Sequence, residues 1–387
     1  MDYFLTEEQL ELQKLARKIA VEKVRPVAAH YDKTGEFPWE LVKLFAELDF
    51  FRIWIEEEYG GMGGGVMELV LVTEELSRAC GGVALAVAAS ALGSFPIVIS
   101  GNKQQKEKYL PDLADGKYLA GFCLTEPEAG SDAGAIKTKA VRNGDYYILN
   151  GKKHFITNGG VAKLYTVIAS TDPSKGSRGA TAFIVEEGTE GLSYGKEEDK
   201  MGIRASATCE VIFEDCKVPV ENRIGEEGQG FIVTMKTLDK SRPGVAAQAL
   251  GIAQGALDLA VDYARQREQF GQSIISFQAI QFMLADMATQ IEATRALIYS
   301  ISKMIDSGAK NIAKESAMCK VLASDVAMKV TTDAVQIFGG YGYMRDYPIE
   351  KFMRDAKITQ IYEGTNQIQR LVIARNIIRE GASQSKK

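Results

Sequence analysis

Residues 354–370, RDAKITQIYEGTNQIQR, place a single carboxylate, Glu363, between an aromatic ring and a glycine. An apolar run precedes this carboxylate, and an amide-rich segment follows it. Taken alone, the stretch is typical of a helix start, with Thr365 as the N-cap and the carboxylate beside the positive end of the helix dipole. A larger role for Glu363 depends on what the rest of the chain builds around it.

The composition is that of an ordinary globular protein and excludes several classes. The chain has 387 residues, of which 46% are apolar and 25% charged, enough for two or three domains. A net charge of −5 offers no basic surface, so nucleic acid is not an expected partner. The longest apolar run, 83–99, falls short of the roughly 20 residues that cross a bilayer and contains Pro96. The acidic start, MDYFLTEEQ, differs from a targeting signal, so we expect a cytoplasmic protein without membrane insertion.

Cysteine and histidine are too few for several kinds of catalytic site. The five cysteines are widely separated and form no CxxC pair, which is typical of reduced, buried thiols. A Ser-His-Asp triad or a zinc site would depend on His154, because His30 is the only other histidine. We therefore expect no metal, and an enzyme that uses carboxylates, backbone donors and a bound cofactor.

Hydrophobic periodicity predicts a helical first domain, 1–117. Thr6 and Gln9 have the spacing of a capping box, and Pro38 is expected to open a second helix. The glycine-rich stretch 59–65 lacks the GK[ST] ending of a phosphate loop, so a turn is predicted there. The small residues of 86–94 favour either close helix packing or close approach of a ligand. Further helices are predicted at 66–80, 83–100 and 103–113.

From about Asp115 the pattern changes to period two, which predicts a β domain over 118–228. Residues 146–160, YYILNGKKHFITNGG, are predicted to form two strands joined by a turn at Asn150-Gly151. Short antiparallel strands with turns between them favour a compact sandwich or barrel inserted between helical parts. The other strands are predicted at 164–169, 180–186, 192–195 and 210–214.

Longer helical segments return in the third part, 229–387. Residues 231–269 are helical in pattern, interrupted only at Pro243, where a kink is expected. Four helical segments with short connections favour an antiparallel bundle. The predicted fold class is thus α+β and mostly α: an N-terminal helical domain, a middle antiparallel β domain and a C-terminal four-helix bundle. The remaining helices are predicted at 277–306, 313–338 and 367–379.

Four further stretches combine polar groups with turn residues, and each has an ordinary structural explanation. They are FCLTEPEAGSD (122–132), KHFITN (153–158), RQREQFG (265–271) and QIFGGYGY (336–343). In the same order, the ordinary explanations are a polar turn, a strand with an aromatic and a hydroxyl on one face, arginines complementing a helix dipole, and a glycine C-cap.

Taken together and in this order, these stretches resemble the acyl-CoA dehydrogenase family of flavoproteins. The resemblance covers essentially the whole chain and rests on TEPEAGSD, FITNGG, RxxFG, QIFGGYGY, RDAKITQIYEGT and QIQR. It implies the same three-part fold, with FAD between the β domain and the C-terminal bundle. It also implies that a neighbouring subunit completes the nucleotide end of the FAD site, and that the protein is a homotetramer like most members.

The resemblance also implies which residues contact FAD. Phe155 and Thr157 would flank the isoalloxazine, although many relatives have Trp where this chain has Phe155. The diphosphate needs a guanidinium and backbone N–H groups that glycine leaves accessible. The residues implied for the nucleotide end are Arg267 and Phe270, with Gln336, Gly339 and Gly340 from a second subunit. The other implied contacts are Phe122, Leu124, Thr125, Ser131, Thr365 and Gln367.

The implied reaction removes two hydrogens from the α and β carbons of an acyl-CoA thioester. Glu363 matches the base that takes the α proton, while flavin N5 accepts the β hydride. The backbone N–H of Glu363 would bind the thioester carbonyl, and burial predicts a raised pKa for its carboxyl. Some branches carry the base where this chain has Ser241, so the chain has the majority arrangement. The implied substrate contacts are Ser131, Asp239, Arg242, Tyr362 and Gly364.

The electron acceptor implied by the resemblance is an electron-transferring flavoprotein. Two alternatives stay open: an acyl-CoA oxidase, although such oxidases are typically longer, and a flavin-free relative that acts as a binding or scaffold protein. The motifs favour a short- or medium-chain straight acyl-CoA, and the small residues of 86–94 also suit a branched or alicyclic group, such as a cyclohexane ring. A dicarboxylic acyl group is less expected because 86–100 contains no arginine.

Overall fold

The computed structural model describes residues 3–384 and confirms the predicted fold class, with helices first, then a β domain, then longer helices. The capping box is present, since the Thr6 hydroxyl accepts the N–H of Gln9 and the Gln9 side chain accepts that of Thr6. The helices of the first part are α1 (Glu7–Ile19), α2 (Ala28–Thr34), α3 (Trp39–Glu47), α4 (Val66–Ser77), α5 (Gly81–Ser100) and α6 (Lys103–Ala114).

The glycine-rich stretch 59–65 is a turn leading into α4, as predicted. Where the stretch joins α4, the carboxylate of Asp306, far along the chain, accepts hydrogen bonds from the N–H groups of Val66 and Met67, both at 2.8 Å. Those N–H groups are among the free donors of the first turn of α4. The loop therefore presents an already capped helix start rather than a phosphate-binding loop.

The middle part forms one sheet, with strand order β6-β7-β3-β2-β4-β5-β8 and β1 beside β4. Most strand pairs are antiparallel, as predicted, but β1 departs from the prediction because it pairs with β4 in parallel. A parallel pair needs a long connection, and here the segment between the two strands contains β2 and β3. The strands are β1 (Ala120–Cys123), β2 (Lys139–Asn143), β3 (Tyr146–Thr157), β4 (Leu164–Ser170), β5 (Ala180–Glu186), β6 (Leu192–Glu197), β7 (Thr208–Pro219) and β8 (Arg223–Ile224).

The predicted hairpin turn at Asn150-Gly151 is also wrong. The turn lies at Gly144-Asp145, between β2 and β3, where Asn143 pairs with Tyr146. At 150–151 the strand β3 continues and bulges against β7. Glycine is required at the bulge because a Cβ on Gly151 would lie 2.5 Å from the Thr138 hydroxyl oxygen.

Four long helices make up the C-terminal part, as predicted, and a shorter helix, α10, was not predicted. The backbone of α7 (Gly230–Gln266) stays helical through Pro243, and the kink expected at that proline stays a prediction. A small hairpin, β9 (Glu268–Gln269) and β10 (Gln272–Ser273), follows α7. The helices are α7 (Gly230–Gln266), α8 (Gln278–Asp306), α9 (Ala313–Phe338), α10 (Ile349–Thr359) and α11 (Asn366–Gln384).

Two of the helices, α5 and α7, are long and apolar enough to cross a membrane by composition alone. Their most apolar windows are, however, 83% and 78% buried inside the protein. A helix that is apolar all round and covered on all sides is the central helix of a large core. Both helices therefore serve the core, and both also contribute to the cavity described next.

Candidate functional site

A cavity of about 770 Å³ lies where the β domain meets α5, α7 and the loop before α11. The segment after β1 and the end of β3 form one wall, and the two helices form another. The third wall is the loop that carries Glu363. Of the predicted site residues, the cavity brings together Phe122, Leu124, Thr125, Ser131, Phe155, Thr157, Arg242, Tyr362, Glu363 and Gly364.

The β-domain wall depends on a second bulge in β3, between Lys153 and Ile156. At this bulge Phe155 has a left-handed backbone, with φ of 57°. The bulge disturbs the strict alternation of the strand, so that Phe155, Ile156 and Thr157 all line the cavity. The predicted pairing of an aromatic ring with a hydroxyl is therefore present, and the departure from alternation is that Ile156 lines the cavity as well. Left-handed backbone at a non-glycine residue is uncommon and concentrates at functional sites.

A buried ion pair fixes the segment that follows β1. Lys153, which is fully buried, donates to the Glu126 carboxylate at 2.7 Å and to the Leu124 carbonyl at 3.0 Å. The same carboxylate accepts the backbone N–H groups of Lys137 and Thr138. Although burial acts in the opposite direction, Lys153 and these hydrogen bonds hold the pKa of Glu126 below its usual value. The wall beside Leu124 is thus held by charged groups that do not enter the cavity.

The loop that carries Glu363 has an unusual backbone. Glu363 has φ of 51° and Gly364 has φ of 91°. A Cβ at Gly364 would lie 2.6 Å from the side-chain nitrogen of Gln369. That nitrogen donates to the carbonyls of Glu363 and Gly364, at 3.0 and 2.9 Å. The Thr365 hydroxyl accepts the N–H of Ile368 at 3.3 Å, so Thr365 is the N-cap of α11, as the sequence predicts.

Two side chains of α7 approach the Glu363 carboxylate. The Ser241 hydroxyl donates to it at 2.5 Å, and the buried Arg242 lines the same cavity. Burial raises the pKa of Glu363, as expected from its surroundings, while the Ser241 hydrogen bond and the charges of Arg242 and Lys320 act against that rise. The carboxylate can therefore hold a proton more tightly than a carboxylate in water.

The aromatic ring beside the base is anchored to two helices. The Tyr362 hydroxyl donates to the side-chain oxygen of Gln248, and Gln248 donates to the Gly81 carbonyl at 2.9 Å. Burial raises the pKa of Tyr362, so its hydroxyl stays protonated and remains a donor. Beyond this contact the cavity wall is apolar, and its side chains include Leu69, Leu85, Ala88, Leu92, Phe95 and Val245.

The predicted nucleotide-end residues lie away from this cavity. Arg267, Gly339 and Gly340 line a separate cleft of about 490 Å³ near the end of α7 and the end of α9. Gly339 has φ of 60°, and a Cβ on either glycine would meet no described heavy atom within 4 Å. The Arg267 guanidinium lies over the ring of Tyr341, 5.4 Å from its centroid. This cleft is open to solvent on the single chain.

The other predicted residues are on the surface or in a third cleft. Phe270 is 93% exposed at the tip of the β9–β10 hairpin. Gln336 and Gln367 are exposed on α9 and α11. Asp239 lines a third cleft and accepts a hydrogen bond from Arg242 at 2.8 Å. These four predicted residues do not line the central cavity, and Thr365 does not line it either.

Sequence reasoning missed Gln248 and Lys320. Lys320 is fully buried in α9 and donates to the Gly364 carbonyl at 2.8 Å and to the Asn366 side chain at 3.0 Å. The available signal was its position on the buried stripe of α9, four residues from Ser316 and Ser324. A lysine on such a stripe predicts an internal partner, because an unpaired buried charge is costly.

Three family models match the chain along its length: the N-terminal, middle and C-terminal domains of acyl-CoA dehydrogenases, at residues 6–117, 121–216 and 228–378. With the fold and the carboxylate-bearing cavity, they define a flavin-dependent oxidoreductase. The chain belongs to the acyl-CoA dehydrogenase family, whose cofactor is FAD. Fold class, enzyme class and cofactor therefore agree with the sequence prediction.

The similar proteins include short-chain enzymes. The chain is 49% identical over 381 residues to the short-chain-specific acyl-CoA dehydrogenase of Clostridium acetobutylicum, covering 98% of this chain and 100% of that protein. The structure of butyryl-CoA dehydrogenase from Megasphaera elsdenii superposes with a TM-score of 0.95 at 50% identity, covering 98% of this chain and 100% of that one.

One similar structure comes from work on an electron-transferring flavoprotein. A chain in a structural study of the electron-transferring flavoprotein of Acidaminococcus fermentans, directed at flavin-based electron bifurcation, superposes with a TM-score of 0.96. It is 52% identical, and the alignment covers 98% of this chain and 100% of that chain.

Proposed function

We propose that this protein oxidises a straight-chain acyl-CoA, of short rather than medium length, to the 2-enoyl-CoA, with Glu363 as the base. The observation that supports this most directly is the position of the Glu363 carboxylate. It lies in the wall of the central cavity, with the hydroxyl of Ser241 hydrogen-bonded to it. Phe155 and Thr157 line the same cavity from the β domain.

Glu363 is suited to take a weakly acidic proton. Burial raises the pKa of its carboxyl, and a base whose pKa approaches the working pH accepts protons more readily. Its backbone N–H has no hydrogen-bond acceptor among residues 3–384. That donor is therefore available to a substrate carbonyl, where negative charge develops as the α proton leaves. One residue thus supplies the base and one stabilising donor.

The residues present fit FAD. The hydroxyls of Thr125, Ser131 and Thr157 line the central cavity beside the ring of Phe155. In the open cleft, Arg267, Gly339 and Gly340 of one chain lie together, so all three would contact FAD held by a neighbouring copy, and the missing side chains of the glycines leave room for a diphosphate against the backbone. Bound FAD supplies the acceptor for the β hydride. The chain's own residues bind and orient the thioester and remove the α proton.

The apolar wall supports a short acyl group. Leu69 from α4 and Leu85, Leu92 and Phe95 from α5 are large side chains on this wall. The cavity has to hold the flavin ring and the thioester as well as the acyl group. The similarity to short-chain-specific and butyryl-CoA enzymes points in the same direction.

Anaerobic flavin bleaching with a panel of acyl-CoAs tests this function. We expect butyryl-CoA to bleach the flavin fastest, with octanoyl-CoA, isovaleryl-CoA and cyclohexanecarbonyl-CoA slower by about tenfold or more, because one misfitting methylene already costs roughly 1–3 kcal/mol. Faster bleaching by the cyclohexane substrate would replace the straight-chain assignment with an alicyclic one. Protein that purifies colourless and takes up no FAD would support the flavin-free scaffold instead.

We also propose that an electron-transferring flavoprotein accepts the electrons, and that the enzyme is a cytoplasmic homotetramer. The similar chain from the flavoprotein study supports the first part. The surface position of the nucleotide-end residues supports the second, because Phe270 and both glycines are open on a single chain. Peroxide release at the rate of turnover would instead favour an oxidase. Light scattering of the purified protein would measure the assembly directly.

A further inference from the structure

We propose that Lys320 is a positioning residue for the base: its ammonium holds the turn after Glu363 and its charge keeps the carboxylate ionised. This inference rests on the proposed role of Glu363. Lys320 does not line the cavity, so it would act on the reaction only through the loop and the electric field at the carboxylate.

The backbone to be held is strained. Left-handed φ values at two consecutive residues, Glu363 and Gly364, are rare because one of them is not glycine. Such a conformation is unfavourable and persists only where the surroundings over-determine it. The carboxylate position therefore depends on groups that grip the neighbouring peptide units.

Two side chains donate hydrogen bonds to the same carbonyl, that of Gly364. The Gly364 oxygen accepts from the Lys320 ammonium at 2.8 Å and from the Gln369 amide at 2.9 Å. Lys320 also donates to the Asn366 side chain at 3.0 Å, and Asn366 donates to Ser324 and Asp325, both at 2.8 Å. All the bonds from Lys320 therefore go to the Glu363 loop or to the first residue of α11.

Lys320 differs from Gln369 in carrying a charge. The charged groups that act on Lys320 are Glu363 on the loop, Arg242 on α7 and Asp325 on α9 itself. Burial lowers the pKa of Lys320 to about 8, so the ammonium is present at neutral pH and is lost as pH rises through that value. The Lys320 charge also lowers the pKa of Glu363 against the effect of burial. It therefore favours the carboxylate, which is the form that accepts a proton.

Three variants distinguish the effect of the Lys320 charge from that of its hydrogen bond to the Gly364 carbonyl. Lys320→Met removes both while keeping the length of the side chain, Lys320→Arg keeps the charge, and Gln369→Met removes a neutral donor from the same carbonyl. We expect Lys320→Met to move the acid-side inflection of flavin bleaching by butyryl-CoA upward by about half a pH unit, because the Lys320 charge lowers the pKa of Glu363, though less strongly than the Ser241 hydrogen bond does. Gln369→Met should lower the rate at every pH without moving the inflection. In Lys320→Arg the inflection should move by less than about half as much as it moves in Lys320→Met.

A second readout does not depend on turnover. The infrared band of the protonated Glu363 carboxyl, identified by its absence in Glu363→Gln, should persist to higher pH in Lys320→Met. An unchanged band and inflection in that variant would overturn the proposal; if the variant does not fold, an upward shift of about half a pH unit or more in Lys320→Arg, which keeps the charge, would do the same. Wild-type bleaching by Glu363→Gln would instead overturn the base assignment, so the two failures are distinguishable.

Discussion

The central cavity and the open cleft, which are both proposed to contact FAD, differ in how completely a single chain builds them. Around the cavity, Glu363, Thr157 and Arg242 come from three separate elements and meet in one place. In the cleft, Arg267 is half-buried and the two glycines that follow α9 are exposed. We infer that the geometry for proton removal is built within one chain, whereas retention of the nucleotide depends on surfaces that a second copy covers. Substitutions in the two regions should therefore have separable effects.

The largest expected effect is in the cavity. Glu363→Gln removes the proton acceptor but keeps the shape of the side chain, so the rate of anaerobic flavin bleaching should fall about a thousandfold, within the range for a general base. FAD content should remain that of the wild type, because the nucleotide end is untouched. Stopped-flow absorbance and the flavin-to-protein ratio measure the two quantities.

Glu214→Gln is the matched control for this prediction. Glu214 is an exposed carboxylate on β7 and does not line the cavity. Its replacement should leave both the rate and the FAD content unchanged. A bleaching rate for Glu363→Gln within tenfold of the wild type would mean that another group removes the proton.

The two regions also differ in how far local sequence predicts them. The capping box at Thr6 and the helix bounds of α9 follow from short-range patterns, and the structure confirms both. The hairpin prediction failed because Gly144-Asp145 and Asn150-Gly151 are both two-residue turn signals, six residues apart. The choice between them depends on pairing of β3 with β7, which no local pattern contains.

Within the site, the sequence predicted the residue proposed as the base, but not its backbone conformation or the contacts that support it. The tripeptide Glu363-Gly364-Thr365 predicts a helix start, and Thr365 is indeed the N-cap of α11. The left-handed backbone of Glu363, however, lies where Gln369 donates to the Glu363 carbonyl and Lys320, on a different helix, donates to the Gly364 carbonyl. Phe155 is a similar case, because its bulge depends on the neighbouring strand. Long-range contacts determine both conformations, so a single sequence does not reveal them.

An intermediate effect is expected in the open cleft. Arg267→Ala should weaken FAD binding about thirtyfold, because a hydrogen bond to a charged group contributes about 2 kcal/mol. The bleaching rate per bound flavin should stay within about twofold of the wild type, because Glu363 and its partners are unchanged. Quenching of flavin fluorescence measures the affinity, and stopped-flow absorbance at saturating FAD measures the rate.

Arg265→Ala provides the comparison for the cleft variant. Arg265 lies two residues away on the same helix end, has 67% of its side chain exposed and is not among the lining residues of the cleft. Its loss should change neither quantity. If Arg267→Ala lowered the rate per bound flavin as much as Glu363→Gln does, the separation between the two regions would be wrong.

The smallest expected effect is at Ser241, and it tests how finely the cavity tunes its base. The Ser241 hydroxyl donates to the Glu363 carboxylate at 2.5 Å and lowers its pKa against the effect of burial. Ser241→Ala should therefore raise the pKa of Glu363, by about 0.7 unit if the hydrogen bond contributes about 1 kcal/mol. Because the reaction needs the carboxylate, the rising limb of the rate against pH should move to higher pH, with an unchanged plateau above it.

Ser302→Ala is the control, since Ser302 is also buried but donates only to its own helix, at the carbonyl of Ile298. A downward shift of the limb in Ser241→Ala would mean that Ser241 stabilises the protonated acid, and the proposed direction of that hydrogen bond would have to be reversed.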